Sequence, residues 1–285
     1  MKIIFSRKGF DSQYGGVPSP ILPDGTALSL PIPSRSGRPL SDLATPHGPL
    51  HRIVSDLTGG AIAAETLVHL DPDLQQNCVP RMLGWRPSFG QVSSAQQHLA
   101  RQGVCAGDLF LFFGWFRKVE RHHGRWRYVP GAPSIHSLFG WLQVADILIV
   151  NADELRTRSP WLADHPHVEH AATIGPYNTL YLAAERLMLG CALPVAPGAG
   201  VFSKWSDSLQ LTAPGQTRSN WRLPLWMMPG DGHPALTYHT AADRWSIVDG
   251  YARLRLVAKG QEFVQDVRSS AEALRWLRSL VAAHA

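Results

Sequence analysis

The stretch from Gly107 to Val150 restricts the fold more than any other part of the chain. It opens with GDLFLFFGWF, passes through a charged tip, RKVERHHGR, and returns as WRYV before the second run HSLFGWLQVADILIV. Phe, Trp, Ile and Val dominate both apolar runs, and these residues suit a pleated, buried surface. The pattern reads as a tight turn at Gly107-Asp108, a long strand, a hairpin and another long strand. LFLFFGWF is apolar throughout, so alternation assigns its faces only in part. Phe110, Phe112, Phe113 and Phe139 are read as core. Gly140 marks a point where a neighbouring backbone or ligand comes close.

Around this centre the signals are shorter. KIIF (2–5) suits a short buried first strand. Residues 50–58 and 92–102 suit helices, the second with Ser93 or Ser94 as cap. HLDPDL (69–74) reads as a strand end or a loop opening a short helix, and YNTLYLAAERLML (177–189) as a strand becoming a helix or one helix. GQEFVQDV is a strand. The last segment is an amphipathic helix capped by Ser269 or Ser270, with Ala273, Leu274, Leu277 and Val281 as its buried stripe. Residues 190–245 show no periodicity and are read as an elaborated surface.

The 285 residues are 45% apolar and 17% charged, as in a folded protein with a sizeable core. With Gly 25 and Pro 22, sheet and loop should outweigh long helix. The formal charge of +5 makes a polyanionic partner plausible without identifying one. Cys78, Cys105 and Cys191 are odd in number and widely spaced, which disfavours a disulfide framework or a cysteine zinc site. No apolar run is long enough to span a bilayer, so the expectation is a reduced, cytoplasmic protein without membrane contact. No domain boundary stands out, and residues 1–285 are read as a single unit.

Three groups of residues carry candidate chemistry. The opening FSRKGFDSQYGG follows the first strand directly. Ser6, Arg7, Lys8 and Gly9 can present N–H groups and two cations to a phosphate, with Asp11 nearby. Neither GxxxxGK[ST] nor GxGxxG spacing is present, and pairing of Arg7 or Lys8 with Asp11 is the alternative. His69-Leu70-Asp71-Pro72-Asp73 would, if extended, place His69, Asp71 and Asp73 on one side for metal binding or acid–base work. The alternative is that Asp71 caps a following turn with Pro72 at its first position. We take Asp11, His69 and Asp71 as proton-transfer candidates and assign no metal ligand. Gln91, in SFGQ, can read a base edge or an amide. His165, His167 and His170 with Glu169 form a second cluster that lacks a fourth ligand. No GxSxG elbow is present, and no cysteine sits in a recognisable nucleophile setting. The opening set is expected to face a pocket shared with His69 and Asp71.

The segments VCAGDLFLFFG (104–114) and HSLFGWLQVADI (136–147) resemble the PUA-like group of small nucleic-acid-binding barrels, which includes the ASCH, EVE and YTH domains. The resemblance implies an α+β fold: a PUA-like, mostly antiparallel β-barrel core around residues 100–190, decorated with helices and long Pro/Gly-rich loops. It also implies a base held against aromatic side chains, with Trp115, Phe116, Trp126 and Trp141 as candidates. Arg117, Lys118, Arg121, Arg125 and Arg127 at the hairpin are either a solvated tip or phosphate contacts.

MKIIFSRKGFDSQYGGVPSPILPDG, HLDPDL, GWRPSFGQ, GDLFLFFGWFR, FGWLQV and YNTLYLA together resemble the family called nucleotide modification associated domain 3. That resemblance implies association with systems that modify bases in nucleic acid. It supplies no reaction, cofactor or catalytic residues. The expected partners are a nucleic acid or nucleotide and base-modification enzymes. The primary reading is a protein that binds a nucleotide or modified base, with group transfer or base processing as its chemistry. The alternative is a non-catalytic PUA-like reader serving a partner enzyme.

Overall fold

The computed structural model describes residues 1–190, 196–230, 233–258, 260–267 and 270–284. Its centre is a nine-stranded mixed sheet. In chain order these strands are β1 (Lys2–Arg7), β2 (Ser19–Ile21), β3 (Ser88–Gln91), β4 (Leu109–His122), β5 (Arg125–Tyr128), β6 (Ile135–Ile149), β7 (Thr179–Ala183), β8 (Ala199–Val201) and β9 (Glu262–Asp266). The main path is β9-β1-β4-β6-β7-β3, with β8 on β6 and both β2 and β5 on β4. β1 and β2 run parallel to β4, and the remaining pairs are antiparallel. The α+β class holds. Among the described residues no pairing joins β3 to β9, the ends of the path, so the sheet is open and no closed barrel is seen.

Both faces of this sheet are covered, which explains why LFLFF is apolar without alternation. Leu109, Leu111 and Phe113 pack with Ile3 and Phe5 on one face. Phe110, Phe112 and Phe116 pack with Ile4 on the other. The first face is closed by Leu209, Leu211, Trp221, Leu223, Met227 and Trp245. Residues 202–230 and 233–245 therefore supply a second layer of core and not the surface elaboration expected from their lack of periodicity. Asn220–Leu223 and Trp245–Val248 pair with Tyr251–Arg255 in a separate three-stranded sheet.

Two glycines meet their expected duties. Gly107 adopts φ +88, and Asp108 behind it accepts hydrogen bonds from the Lys2 and Cys105 N–H groups. A Cβ on Gly140 would stand 2.7 Å from the Gly200 carbonyl oxygen, so only glycine lets β8 approach β6.

The helices are α1 (Leu50–Leu57), α2 (Ser93–Arg101), α3 (Ala152–Arg158), α4 (Pro166–Glu169) and α5 (Ala271–His284). Ser270 caps α5 by accepting the Ala273 N–H at 3.3 Å, whereas Ser269 lies outside the described residues. Neither serine caps α2. Val92 occupies its N-cap position, and no side-chain hydrogen bond is made there. YNTLYLAAERLML yields only the strand β7, because Thr179–Ala183 is buried throughout between β6 and β3. Cys78 and Cys105 are free thiols, and Cys191 lies outside the described residues. Among the described residues no helix is long and apolar enough to cross a membrane.

Candidate functional site

Successive side chains of a strand point to opposite faces, and this divides the opening stretch. Ile4, Ser6 and Lys8 lie on one side of β1, and Ile3, Phe5 and Arg7 on the other. The set Ser6–Asp11 therefore does not face one pocket.

On the first side three of the expected phosphate ligands meet an internal carboxylate. Ser6 Oγ, Lys8 Nζ and Gln91 Nε2 all donate to Glu262 Oε1, at 3.0, 2.8 and 2.7 Å. Register places Ser6 directly opposite Glu262 across β1 and β9. Glu262 is 1% exposed, and its Oε2 has no hydrogen-bond partner. Lys8 also lies over the Phe89 ring, 4.5 Å from its centroid. Ser6, Lys8 and Gln91 thus tie three strands together around one buried anion. Gly9 follows with φ +80, and a Cβ there would stand 2.6 Å from Ser29 Oγ. Its role is the left-handed turn that takes the chain off the sheet.

On the second side a cleft of about 640 Å³ is lined by Arg7, Asp11, Trp115, His136, Arg218 and Gln261, among others. Clefts of roughly this size suit a small-molecule ligand. Trp115 continues the Leu111 and Phe113 face of β4, and His136 sits opposite it on β6. Arg218 lies on the Trp115 ring, 4.1 Å from its centroid. Arg7 Nε and Trp115 Nε1 are both buried without a hydrogen-bond partner. Burial lowers the pKa of both guanidinium groups; Arg7 adds to the effect on Arg218, and Asp11 offsets part of each. Guanidinium stays protonated regardless, so the cleft holds two cations for one nearby carboxylate. Asp11 Oδ1 accepts from the Gln13 and Tyr14 N–H groups at 2.8 and 2.7 Å, fixing the loop that forms the rim. His136 Nδ1 accepts from Trp221 Nε1 at 3.1 Å, and burial lowers its pKa to about 3. The cleft therefore presents cations, N–H donors and an aromatic face. That set suits a phosphate-bearing ligand with a ring system.

A separate cluster forms around Asp71. His69 Nε2 and His167 Nε2 stand 3.7 and 3.5 Å from Asp71 Oδ2, and His165 Nε2 stands 3.9 Å from Oδ1. Gly90 N–H donates to Asp71 Oδ1 at 2.8 Å. Asp71 caps no turn: its carboxylate crosses to β3, and no helix follows Pro72. Burial favours a neutral carboxyl here, but the imidazoles of His167 and His69 beside it outweigh that and hold Asp71 well below the usual carboxylate range. Asp73 turns away to a two-pronged pair with Arg81 and accepts from Trp85 Nε1. His170 pairs with Glu169 at 3.2 Å and takes no part in the cluster.

The remaining stacking candidates are core. Phe116 is 0%, Trp141 2% and Trp126 8% exposed, which leaves Trp115 as the one of the four that lines the large cleft. Three of the five hairpin cations pack on aromatic rings, Arg117 on Tyr128, Lys118 on Trp205 and Arg121 on Trp126, and Arg127 pairs with Glu120. Glu262, Arg218 and the joining of His69 to His167 had no local sequence signal, since each depends on contacts made across the fold.

Fold and cleft define a class: an α+β sheet protein with a cationic, tryptophan-lined cleft at one end of its central strands. The chain belongs to the nucleotide modification associated domain 3 family, whose model matches residues 2–266, and the family's description sets it in the context of nucleotide modification. Comparison with curated proteins and with solved structures finds no match.

Proposed function

We propose that the protein binds one phosphate-bearing nucleotide unit, free or within a polynucleotide, in the Arg7–Trp115–Arg218 cleft, as part of a base-modification system. The carrying observation is the pair of buried, unpartnered donors, Arg7 Nε and Trp115 Nε1, in a cleft that holds two arginines. Buried donors without partners are rare, and a ligand acceptor supplies what the fold leaves unmade. Arg7 and Arg218 take the phosphate, and the Trp115 ring takes the base. Family membership supports the nucleotide context.

The test is calorimetric titration with nucleoside monophosphates, the matching nucleosides and a short single strand. Removal of the phosphate should weaken binding at least about tenfold, the scale of one lost charge-assisted contact. Arg7→Ala should do the same while leaving the melting temperature nearly unchanged. Equal affinity for nucleosides, or wild-type binding by Arg7→Ala, would overturn the assignment. The single strand distinguishes a polynucleotide reader from a protein that takes free nucleotides.

A catalytic role is the second reading, and the Asp71 cluster favours it, with a buried carboxylate facing three imidazoles. There His69 and Asp71 are the reacting groups, while Asp11 serves the rim of the cleft. Mass spectrometry of nucleosides from cells with and without the chain separates the two readings. A modified nucleoside that disappears with Asp71→Asn supports catalysis; an unchanged profile supports the reader.

A further inference from the structure

We propose that His69, Asp71 and His167 form a binding site for a divalent first-row transition cation. The three donor atoms lie within 4.8 Å of one another and come from three separate places: the end of the short strand Leu67–His69, the loop after it, and α4.

The spacing is the first argument. Both histidine Nε2 atoms stand 3.5–3.7 Å from Asp71 Oδ2. A charge-assisted hydrogen bond closes to about 2.7–2.9 Å. Ligand atoms bound about 2.0–2.1 Å from a tetrahedral cation stand about 3.3–3.4 Å from each other. The observed separations match donors around a shared ion better than donors bonded to one another.

Protonation is the second. Asn178 Nδ2 donates to the His167 carbonyl oxygen at 2.7 Å, which leaves Asn178 Oδ1 to accept from His167 Nδ1–H at 2.6 Å. With Nδ1 engaged by Asn178, Nε2 is the ring nitrogen left facing the Asp71 carboxylate, where it can serve as the ligand atom. An outer hydrogen bond that fixes the tautomer is the usual support of a metal-ligating histidine. Asp71 Oδ1 is already taken by Gly90 N–H, so Oδ2 is the oxygen on offer. His165 is different: its Nδ1 accepts from His167 N–H at 3.2 Å, so its Nε2 carries the proton, and it stands beside Asp71 without ligating.

Room for the arrangement comes from Gly90, where a Cβ would stand 2.3 Å from the His167 ring. Two imidazoles and one carboxylate suit zinc, iron, nickel or copper better than magnesium or calcium. Three protein ligands leave positions for water or substrate. The His69 side chain is 19% exposed, which gives the ion a way in.

The test uses the full chain, stripped with a chelator and titrated with Zn²⁺ alone, with uptake read by equilibrium dialysis and elemental analysis. One equivalent per chain is expected, with a melting temperature that rises on loading. His69→Ala and His167→Ala should lose stoichiometric uptake, and Asn178→Ala should weaken it about 10–100-fold. His122→Ala, at the exposed hairpin tip, should bind as wild type. No stoichiometric uptake by the folded wild type, or full uptake by His69→Ala, would overturn the site. His69 is partly exposed, so its variant carries the test even where His167→Ala fails to fold. Arg7→Ala should take up zinc normally, which keeps this result separate from that of the nucleotide cleft.

Discussion

Glu262 offers the sharpest test of how the opening stretch is used. Glu262→Gln keeps the shape of the side chain and removes its charge. The Lys8 ammonium, on a side chain 11% exposed, then faces a neutral partner with no other carboxylate within ion-pair distance among the described residues. Breaking a buried pair by removing one member costs about 3–5 kcal/mol, because the other charge stays buried. Against a total stability of about 5–15 kcal/mol, that loss is large. Glu262→Met combined with Lys8→Met removes both charges into surroundings that already include the Phe89 ring, and much of the loss should return. Urea unfolding of the wild type, Glu262→Met, Lys8→Met and the double variant gives the coupling directly. A Glu262→Gln protein within about 0.5 kcal/mol of wild type would refute the clasp, since a change that small is typical of a surface site. Lys8 would then be available to a ligand after all.

Three further outcomes follow from named contacts. Gly90→Ala pushes a methyl to within 2.3 Å of the His167 ring, and overpacking of this kind costs about 1–3 kcal/mol, read by denaturant midpoint. His136 and His239 are held neutral by burial, with pKa lowered from 6.5 to about 3 and about 4. The unfolded chain binds their protons first, so their contribution is complete above about pH 6.5 and is lost as pH falls; His136 contributes a slope of up to about 1.4 kcal/mol per unit. Unfolding measured from pH 7 to 4 should show this fall, and His136→Asn should flatten part of it. Gly140→Ala sets a Cβ 2.7 Å from the Gly200 carbonyl oxygen and should detach β8, lowering the melting temperature by several degrees.

Much of the fold was legible because its signals are local. KIIF, LFLFFGWF and LFGWLQV are strands, and Ala273, Leu277 and Val281 mark the buried stripe of α5. The separation of Arg7 from Ser6 and Lys8 was also there to be read, since period-two alternation follows from the first strand itself. Their partners were not. Glu262 is 256 residues from Ser6, and a polar residue inside GQEFVQDV looks like any solvent-facing strand position. His69-Asp71 and His165-His167 each looked too short of ligands alone, and only the packing of α4 against β3 joins them. Residues 202–230 and 233–245 lacked periodicity because they cover one face of the sheet with short strands and loops, whose burial follows no repeat.

The central claim is that the opening stretch sends Arg7, and not Lys8, to a ligand. A crystal structure with a nucleoside monophosphate tests it most directly. The account expects the phosphate between Arg7 and Arg218, within hydrogen-bond reach of Arg7 Nε, and the base against Trp115. A phosphate bound at Lys8 with Glu262 displaced, or a ligand bound only outside this cleft, would contradict it.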